Sequence, residues 1–316
     1  MSPNSWTCLH PSNATEAKLS LDNRGLAYGD GFFTTMGVID GQILWLDYHQ
    51  QRLVSHATAL QLQLDSQLLL AMLKIHAKQL QQGMLKLIIT RAEQEVRGYG
   101  YTPNIGGGSA CEIWLKSSPM AITTARSLPL ADGQFIPLQP TASAICLSSQ
   151  IACLPPPLAG LKSLNRLDNV LASGELQAIK AKTLAGTIKP SIAEGLLRDM
   201  SGQWVEGTMS NVFYQLVEAP VAKSSNRPHS QNNSSNYLTQ GQWYTPSMAQ
   251  SGVAGVMRQV IIDTLSTSKN PVIIRSLQDE DLPHLSQLFF CNALRGIMPM
   301  TSLRLFSGEV VGFEAI

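Results

Sequence analysis

Charged residues and paired cysteines are the two features that this sequence has least of. Only 14% of its 316 residues are Asp, Glu, Lys or Arg, and the formal net charge is +1. No lysine or arginine run forms a basic patch, which argues against nucleic acid or an anionic membrane as a partner. Because no C-x-x-C pair occurs, neither a disulfide framework nor a metal site is indicated. We expect buried thiols in a reducing cytoplasm for the five cysteines: Cys8, Cys111, Cys146, Cys153 and Cys291.

A secretion signal and long apolar runs are also missing. The opening MSPNSWTCLHPSN has no basic stretch followed by an apolar one. The longest apolar runs, such as LKLIIT, are far shorter than the roughly 20 residues that span a bilayer. We therefore expect a cytoplasmic protein. What the chain does have is a hydrophobic fraction of 44%, enough at this length to bury large cores in about two domains.

Strand and helix patterns alternate along most of the chain. Residues 21–46 alternate apolar runs with glycine turns, and Asp40 and Gly41 mark a β-hairpin. Asp47 is a candidate N-cap for the helix that follows. Further helices are predicted at 66–82, LNRLDNVLASGELQAIKAK, GVMRQVIIDTLST and QDEDLPHLS. Further strands are predicted at 84–91, 110–116, AICLSS, IAEGLLRD, WVEGTMSNVFYQLV, QWYTP, VIIRS and QLFFCNAL.

Two polar segments interrupt these patterns. Residues 117–143 are rich in Pro, Ser, Thr and Ala and show no sustained period, which indicates a connection between domains. Residues 218–237 are polar and of low complexity, which is typical of a mobile surface loop. We predict an N-terminal α/β domain, a connection with an insertion, and a C-terminal domain, with bounds 1–120, 121–143 and 144–316.

The segment AGLKSLNRLDNVLAS places Lys162 among apolar residues just ahead of a helix. Such a lysine most often lays its stem on apolar surface and keeps its ammonium in water. Alternatively, the amine is desolvated, its pKa falls, and it becomes a nucleophile able to form a Schiff base. The local sequence leaves both interpretations open.

Three other strings offer chemistry to such a lysine. Glu206 opens EGTMSN, a carboxylate before a polar turn and a strand, for which an ordinary β-turn is the alternative. Gly255 opens a helix whose first residues, Val256 and Met257, have N–H groups without internal partners, which hold phosphate readily. Many helices begin this way and bind nothing. Arg52, in DYHQQRL, is either a solvated arginine or a fork for phosphate.

Together these strings resemble the branched-chain aminotransferase-like family, the fold-type IV pyridoxal-phosphate enzymes. The likeness runs in order through YGDGFFTT, HQQRL, LKSLNRLDNVLA, EGTMSN, TPSMAQSGVAGVMRQ and FFCNAL. It implies a mixed α+β and α/β fold of two domains, like that of D-amino acid aminotransferase, and a homodimer. Within the family, VRGYG, GVMRQ and CNALRGIMPM are most similar to the aminodeoxychorismate lyases, which make 4-aminobenzoate for folate.

The resemblance implies a role for each matching residue. Lys162 would hold pyridoxal 5'-phosphate covalently and carry the proton, and Glu206 would pair with the pyridine nitrogen. The rest of the cofactor site would contact the phosphate or the ring faces: Arg52, Ser210, Val253, Val256, Met257 and Asn292. Three residues would meet the substrate: Arg97, Tyr99 and Thr35.

Several alternatives stay open at this point. Gly37 stands where members of the family often carry an arginine, so the way in which a substrate carboxylate is bound is open. Arg97 competes with the interpretation of a solvated loop arginine. An aminotransferase for D-amino or branched-chain amino acids would share Lys162, Glu206 and Arg52. A non-catalytic binding protein on the same fold is a further alternative, because a fold does not by itself define a function.

Overall fold

The structure is a computed structural model, and it describes seven ranges of the chain. These are residues 6–10, 18–102, 110–122, 126–130, 134–184, 192–217 and 238–313. The predicted surface loop at 218–237 lies outside the described residues, as does the glycine run at 106–108.

The chain forms two compact units. Unit 1 comprises Met1–Ile122 and Pro155–Arg166, and unit 2 comprises Thr123–Leu154 and Leu167–Ile316. The predicted domain bounds stay a prediction, and the units differ from them at two places. The predicted connection falls largely in unit 2, whereas the segment that carries Lys162 packs with unit 1.

Unit 1 is built on a five-stranded antiparallel sheet, in which the strand order is β1-β5-β4-β2-β3. Its strands are β1 Trp6–His10, β2 Gly31–Ile39, β3 Gln42–Ile43, β4 Gly83–Arg91 and β5 Cys111–Pro119, and its helices are α1 Arg24–Tyr28, α2 Leu46–Ala59 and α3 Ser66–Leu80. Alternate residues of a strand point to opposite faces. One face of β2 therefore carries Phe32 and Met36 into a core shared with α2 and α3, and the other face carries Phe33 and Thr35.

Local predictions for unit 1 had mixed outcomes. The hairpin is confirmed, since Asp40 and Gly41 have φ values of 51° and 70°, as a two-residue type I′ turn requires. The predicted N-cap Asp47 is wrong. The chain turns into α2 at Trp45, which has φ 59° and no capping side chain, so the helix begins before the aspartate. The strand β1, which pairs with β5, was not predicted.

Unit 2 contains an eleven-stranded mixed sheet among its described residues. The strands are β6 Arg126–Pro129, β7 Phe135–Leu138, β8 Ala142–Ile151, β9 Ile192–Asp199, β10 Trp204–Gly207, β11 Asn211–Leu216, β12 Tyr244–Thr245, β13 Ile273–Ile274, β14 Leu285–Asn292, β15 Gly296–Arg304 and β16 Val310–Gly312. The helices are α4 Leu167–Leu184, α5 Val256–Leu265 and a short 3-10 helix at Asp279–His284. The parallel strands β8 and β9 share one core with α4, through residues such as Leu147, Ala172 and Leu197.

Two predictions about unit 2 are corrected by the structure. The segment predicted as a connection without regular structure contains the hairpin β6–β7, and β7 pairs in parallel with β15. The buried side chains of Leu128 and Ile136 place the hairpin in the core, but strands of four residues that include prolines show little alternation. The expectation of buried thiols is wrong for Cys153, which is exposed.

Within the described ranges, no helix combines the length and the apolar character that crossing a membrane requires.

Candidate functional site

Lys162 lies in a segment that pairs with the start of β2. Its carbonyl oxygen accepts a hydrogen bond from the backbone N–H of Phe33 over 3.0 Å, and two residues later Leu164 N–H donates to Gly31 over 3.0 Å. The N–H of Lys162 donates to Nε2 of His56 over 2.9 Å. The ammonium lies 4.6 Å from the centroid of the Phe33 ring. Both sides of the Lys162 peptide are therefore held, and the amine is directed over an aromatic ring on one face of β2.

Arg52 and His56 are one turn apart on α2, and both are buried. Arg52 donates to the hydroxyl of Thr34 over 3.4 Å, and that hydroxyl lies 2.9 Å from Nδ1 of His49. Burial lowers the pKa of Arg52 to about 10, so it stays charged at neutral pH. Burial, helped by the Arg52 charge, lowers the pKa of both histidines to about 3, so they are neutral. The interpretation of Arg52 as a solvated surface arginine is therefore wrong.

The three predicted substrate residues also lie in unit 1. Thr35 shares a face of β2 with Phe33, the face over which the Lys162 ammonium lies. Arg97 and Tyr99 are exposed and belong to the loop after β4. The buried Arg24 holds this loop by donating to the carbonyl oxygen of Tyr99 over 3.3 Å. The backbone of the loop is thus anchored while the side chain of Arg97 is accessible, and its contact with a substrate stays a prediction.

In unit 2, the carboxylate of Glu206 is buried at the end of β10. Its Oε2 accepts a hydrogen bond from the N–H of Val253 over 2.9 Å, and Nδ2 of Asn169 donates to its Oε1 over 3.4 Å. Gly252 has a φ of +75°, and a Cβ there would come within 3.0 Å of Oε2 of Glu206. The structure thus brings two predicted cofactor residues, Glu206 and Val253, into direct contact.

The start of α5 follows the same loop. Gly255 is its N-cap and no side chain caps it, while the first two helical residues, Val256 and Met257, are buried. A Cβ at position 255 would lie 1.8 Å from Oδ1 of Asn211, so only glycine fits there. Nδ2 of Asn211 donates to the carbonyl oxygen of Val253 over 2.8 Å, which holds the approach to the helix. A helix start without a capping side chain suits an anionic group.

The sequence reasoning missed Glu194, a buried carboxylate on β9. One of its oxygens accepts from the N–H and the hydroxyl of Thr208 over 3.0 and 2.6 Å, and the other accepts from the hydroxyl of Ser210 over 2.7 Å. Asn292 donates to the carbonyl oxygen of Met209 over 3.4 Å. Glu194 therefore shapes the turn after β10. The available signal was a carboxylate inside the apolar strand IAEGLLRD, because buried charges need partners.

The description of amino-transferase class IV matches residues 31–303, and the chain belongs to this family. Members of the family use pyridoxal phosphate. The predicted fold class is confirmed, since the mixed α+β and α/β architecture is that of fold-type IV.

The relatives include a lyase and an aminotransferase. The chain is 23% identical over 289 residues to aminodeoxychorismate lyase of Vibrio harveyi, which covers 91% of this chain and 88% of that protein. It is 25% identical over 305 residues to a putative branched-chain-amino-acid aminotransferase of Methanocaldococcus jannaschii, covering 94% and 87%. The crystal structure of 4-amino-4-deoxychorismate lyase from Pseudomonas aeruginosa superposes with a TM-score of 0.67 at 29% identity, covering 91% and 88%.

The polar groups of the two units fit the parts of pyridoxal phosphate. A buried guanidinium, Arg52, and the N–H groups of an uncapped helix start suit a phosphate. A buried carboxylate, Glu206, suits a protonated pyridine nitrogen, and the amine of Lys162 suits an aldehyde. Each of these groups is held by contacts within its own unit.

Proposed function

We propose that this protein is a pyridoxal-phosphate-dependent lyase that converts 4-amino-4-deoxychorismate into 4-aminobenzoate and pyruvate. The observation that carries the proposal is the geometry of Lys162, whose peptide is held on both sides while its amine lies over Phe33. The 29% identity to the lyase structure from Pseudomonas aeruginosa favours this substrate. The strings VRGYG and CNALRGIMPM point the same way.

We assign the holding of the cofactor to the residues that the resemblance indicates. Lys162 would bind it covalently, Arg52 and the amides of Val256 and Met257 would hold its phosphate, and Glu206 would face its pyridine nitrogen. When bound, pyridoxal phosphate supplies an electron sink for negative charge on the substrate carbon next to nitrogen. The remaining residues of the set would complete the phosphate site and cover the ring: Ser210, Val253 and Asn292.

Lys162 has a second task once the substrate amine has displaced it. Its amine takes the proton from the ring carbon that bears the nitrogen, as a general base. The bond between the adjacent ring carbon and the enolpyruvyl oxygen breaks, and the leaving group accepts a proton and departs as pyruvate. The two products contain all the atoms of the substrate, so no water is consumed, and the ring becomes aromatic.

The two carboxylates of this substrate need polar or cationic partners. Arg97 is exposed on a loop whose backbone is anchored, so its guanidinium is available for one carboxylate. Tyr99 belongs to the same loop, and Thr35 lies on the face of β2 that the Lys162 amine covers. Gly37 offers no side chain on this strand, which makes the contribution of the Arg97 loop more important.

The direct test supplies aminodeoxychorismate, made in place by its synthase from chorismate and glutamine. The purified protein with added pyridoxal phosphate should release 4-aminobenzoate and pyruvate in equal amounts, measured by chromatography. Arg97→Ala should raise the KM and Arg97→Lys should recover part of the loss. A wild-type protein that binds the cofactor but forms no 4-aminobenzoate would overturn the lyase proposal.

A second candidate function is supported by the 25% identity to the putative branched-chain-amino-acid aminotransferase. It would use Lys162, Glu206 and Arg52 in the same way but keep the carbon skeleton of the substrate. Incubation with an L- or D-amino acid and 2-oxoglutarate distinguishes the two. Formation of glutamate without any 4-aminobenzoate from aminodeoxychorismate would select the aminotransferase. A protein that takes up no pyridoxal phosphate would instead be a binding protein on this fold.

A further inference from the structure

The helix α2 carries a buried histidine, His56, that the proposed reaction does not use. Its Nε2 accepts the hydrogen bond from the backbone N–H of Lys162 over 2.9 Å. The donor is an amide, so the accepting nitrogen carries no proton and the ring is in its Nδ1–H tautomer. The contact joins two residues that are 106 positions apart in the sequence.

The imidazole is held on its other sides as well. Nδ1 lies 3.3 Å from the hydroxyl of Ser55, and that hydroxyl donates to the carbonyl oxygen of Arg52 over 3.1 Å. The lone pairs of the Ser55 oxygen are therefore directed to accept from Nδ1–H. The ring packs edge-to-face on Phe32 with 5.3 Å between ring centroids. Because His56 is only 4% exposed, the imidazole has one fixed orientation.

The charges around His56 keep it in the accepting form. Burial lowers its pKa to about 3, and the nearby cations Arg52, Arg166 and Lys162 lower it further in the same direction. A protonated imidazole would present an N–H to the N–H of Lys162, and the two donors would repel each other. The hydrogen bond is therefore maintained across the neutral range.

The opposite side of the Lys162 peptide is fixed by β2, since its carbonyl oxygen accepts from the N–H of Phe33. The peptide thus lies between a helix and a strand, with one hydrogen bond to each. The direction in which the side chain leaves the backbone is set by this pair of bonds. A misplacement of a reacting group by about 1 Å can cost about a hundredfold in rate.

We propose that His56 is a positioning residue, which holds the backbone N–H of Lys162 and so directs its amine towards the cofactor and the substrate proton. The contact itself is independent of the proposed function, whereas the consequence for turnover rests on it.

The first experiment measures the contact without any cofactor. Hydrogen exchange of the Lys162 amide is followed by NMR in the cofactor-free protein for His56→Leu, His56→Gln and the control His76→Leu. We expect about tenfold faster exchange in His56→Leu, since one hydrogen bond is lost. The amide oxygen of glutamine can take the place of Nε2, so His56→Gln should stay near the wild-type rate. His76 lies on α3, and its replacement should leave the rate unchanged.

The second experiment measures the consequence for the amine. Pyridoxal phosphate is added, the product is trapped with borohydride at successive times, and the labelled lysine is mapped by mass spectrometry. Labelling of Lys162 should be about tenfold slower in His56→Leu and largely restored in His56→Gln. With substrate, kcat should fall in His56→Leu while the KM stays near the wild-type value.

The outcomes separate the two proposals. If wild-type Lys162 is not labelled, the proposed function fails, while the exchange rates still decide whether His56 holds the amide. If His56→Leu exchanges and is labelled at wild-type rates, the positioning role is wrong. If His56→Leu does not fold, His56→Asn replaces it, because its shorter side chain cannot reach the Lys162 amide.

Discussion

At the scale of single residues, Arg52 is a cation held in the interior of unit 1. We expect Arg52→Ala to weaken the binding of pyridoxal phosphate by about 1.5–3 kcal/mol, the value of a hydrogen bond to a charged group, or roughly 10- to 150-fold. Arg52→Lys should lose less because the charge remains. Equilibrium dialysis gives the dissociation constants. Binding at wild-type strength in the alanine variant would show that the phosphate lies elsewhere.

Lys162 is the residue on which the chemistry depends. Its contacts with His56 and Phe33 at the backbone do not involve the side chain. We therefore expect Lys162→Ala to abolish turnover and borohydride trapping while the urea midpoint of unfolding changes little. Circular dichroism and the denaturation curve check the fold. Residual lyase activity in this variant would mean that another group moves the proton.

At the scale of elements, the loop between β12 and α5 depends on a close approach of the backbone to Glu206. Gly252 has a φ of +75°, and a Cβ there would lie 2.9 Å from Val205 and 3.0 Å from Oε2 of Glu206. Gly202 has a φ of +89° and open space around it, so Gly202→Ala isolates the cost of the backbone conformation.

We expect Gly202→Ala to destabilise the protein by about 1–2 kcal/mol, the penalty of a left-handed L-residue. Gly252→Ala should cost clearly more, because Val205 and Glu206 must also shift, and it should weaken cofactor binding. Urea denaturation of both variants measures the difference. Equal costs would show that the loop yields without displacing Glu206.

At the scale of the whole molecule, buried neutral histidines link stability to pH. His49 and His56 have pKa values of about 3 when folded against 6.5 as their ordinary value. The unfolded chain therefore binds protons that the folded chain does not, so stability is complete above pH 6.5 and falls as the pH falls towards 3. Each histidine contributes a slope of about 1.4 kcal/mol per pH unit in this window.

Urea denaturation between pH 6.5 and 4.5 tests this linkage. The free energy of unfolding should fall by up to about 2.7 kcal/mol per pH unit, twice the single-site slope. His56→Gln should remove about half of that slope. A free energy that is flat over this range would mean that the two imidazoles take up protons in the folded state.

The homodimer implied by the family resemblance stays a prediction of the same scale. Sedimentation equilibrium should give about twice the mass of one chain. A monomer with full lyase activity would contradict it.

The sequence by itself determined the family and the candidate chemistry, because the relevant strings are contiguous. The string EGTMSN contains its carboxylate and turn, and LKSLNRLDNVLA contains its lysine and helix. The hairpin at Asp40 and Gly41 was equally local. Alternation over nine or ten residues also made β4 and β8 predictable.

Only the tertiary structure decided which polar groups are buried and which residues hold them. A helical arginine is the same string whether it is solvated or buried, and packing against Thr34 decided the case of Arg52. His56 meets Lys162, and Glu194 meets Ser210, across 106 and 16 positions of sequence. Such contacts arise when a helix packs on a strand or one strand lies beside another. No local pattern encodes them, because their free energy depends on burial that the whole fold creates.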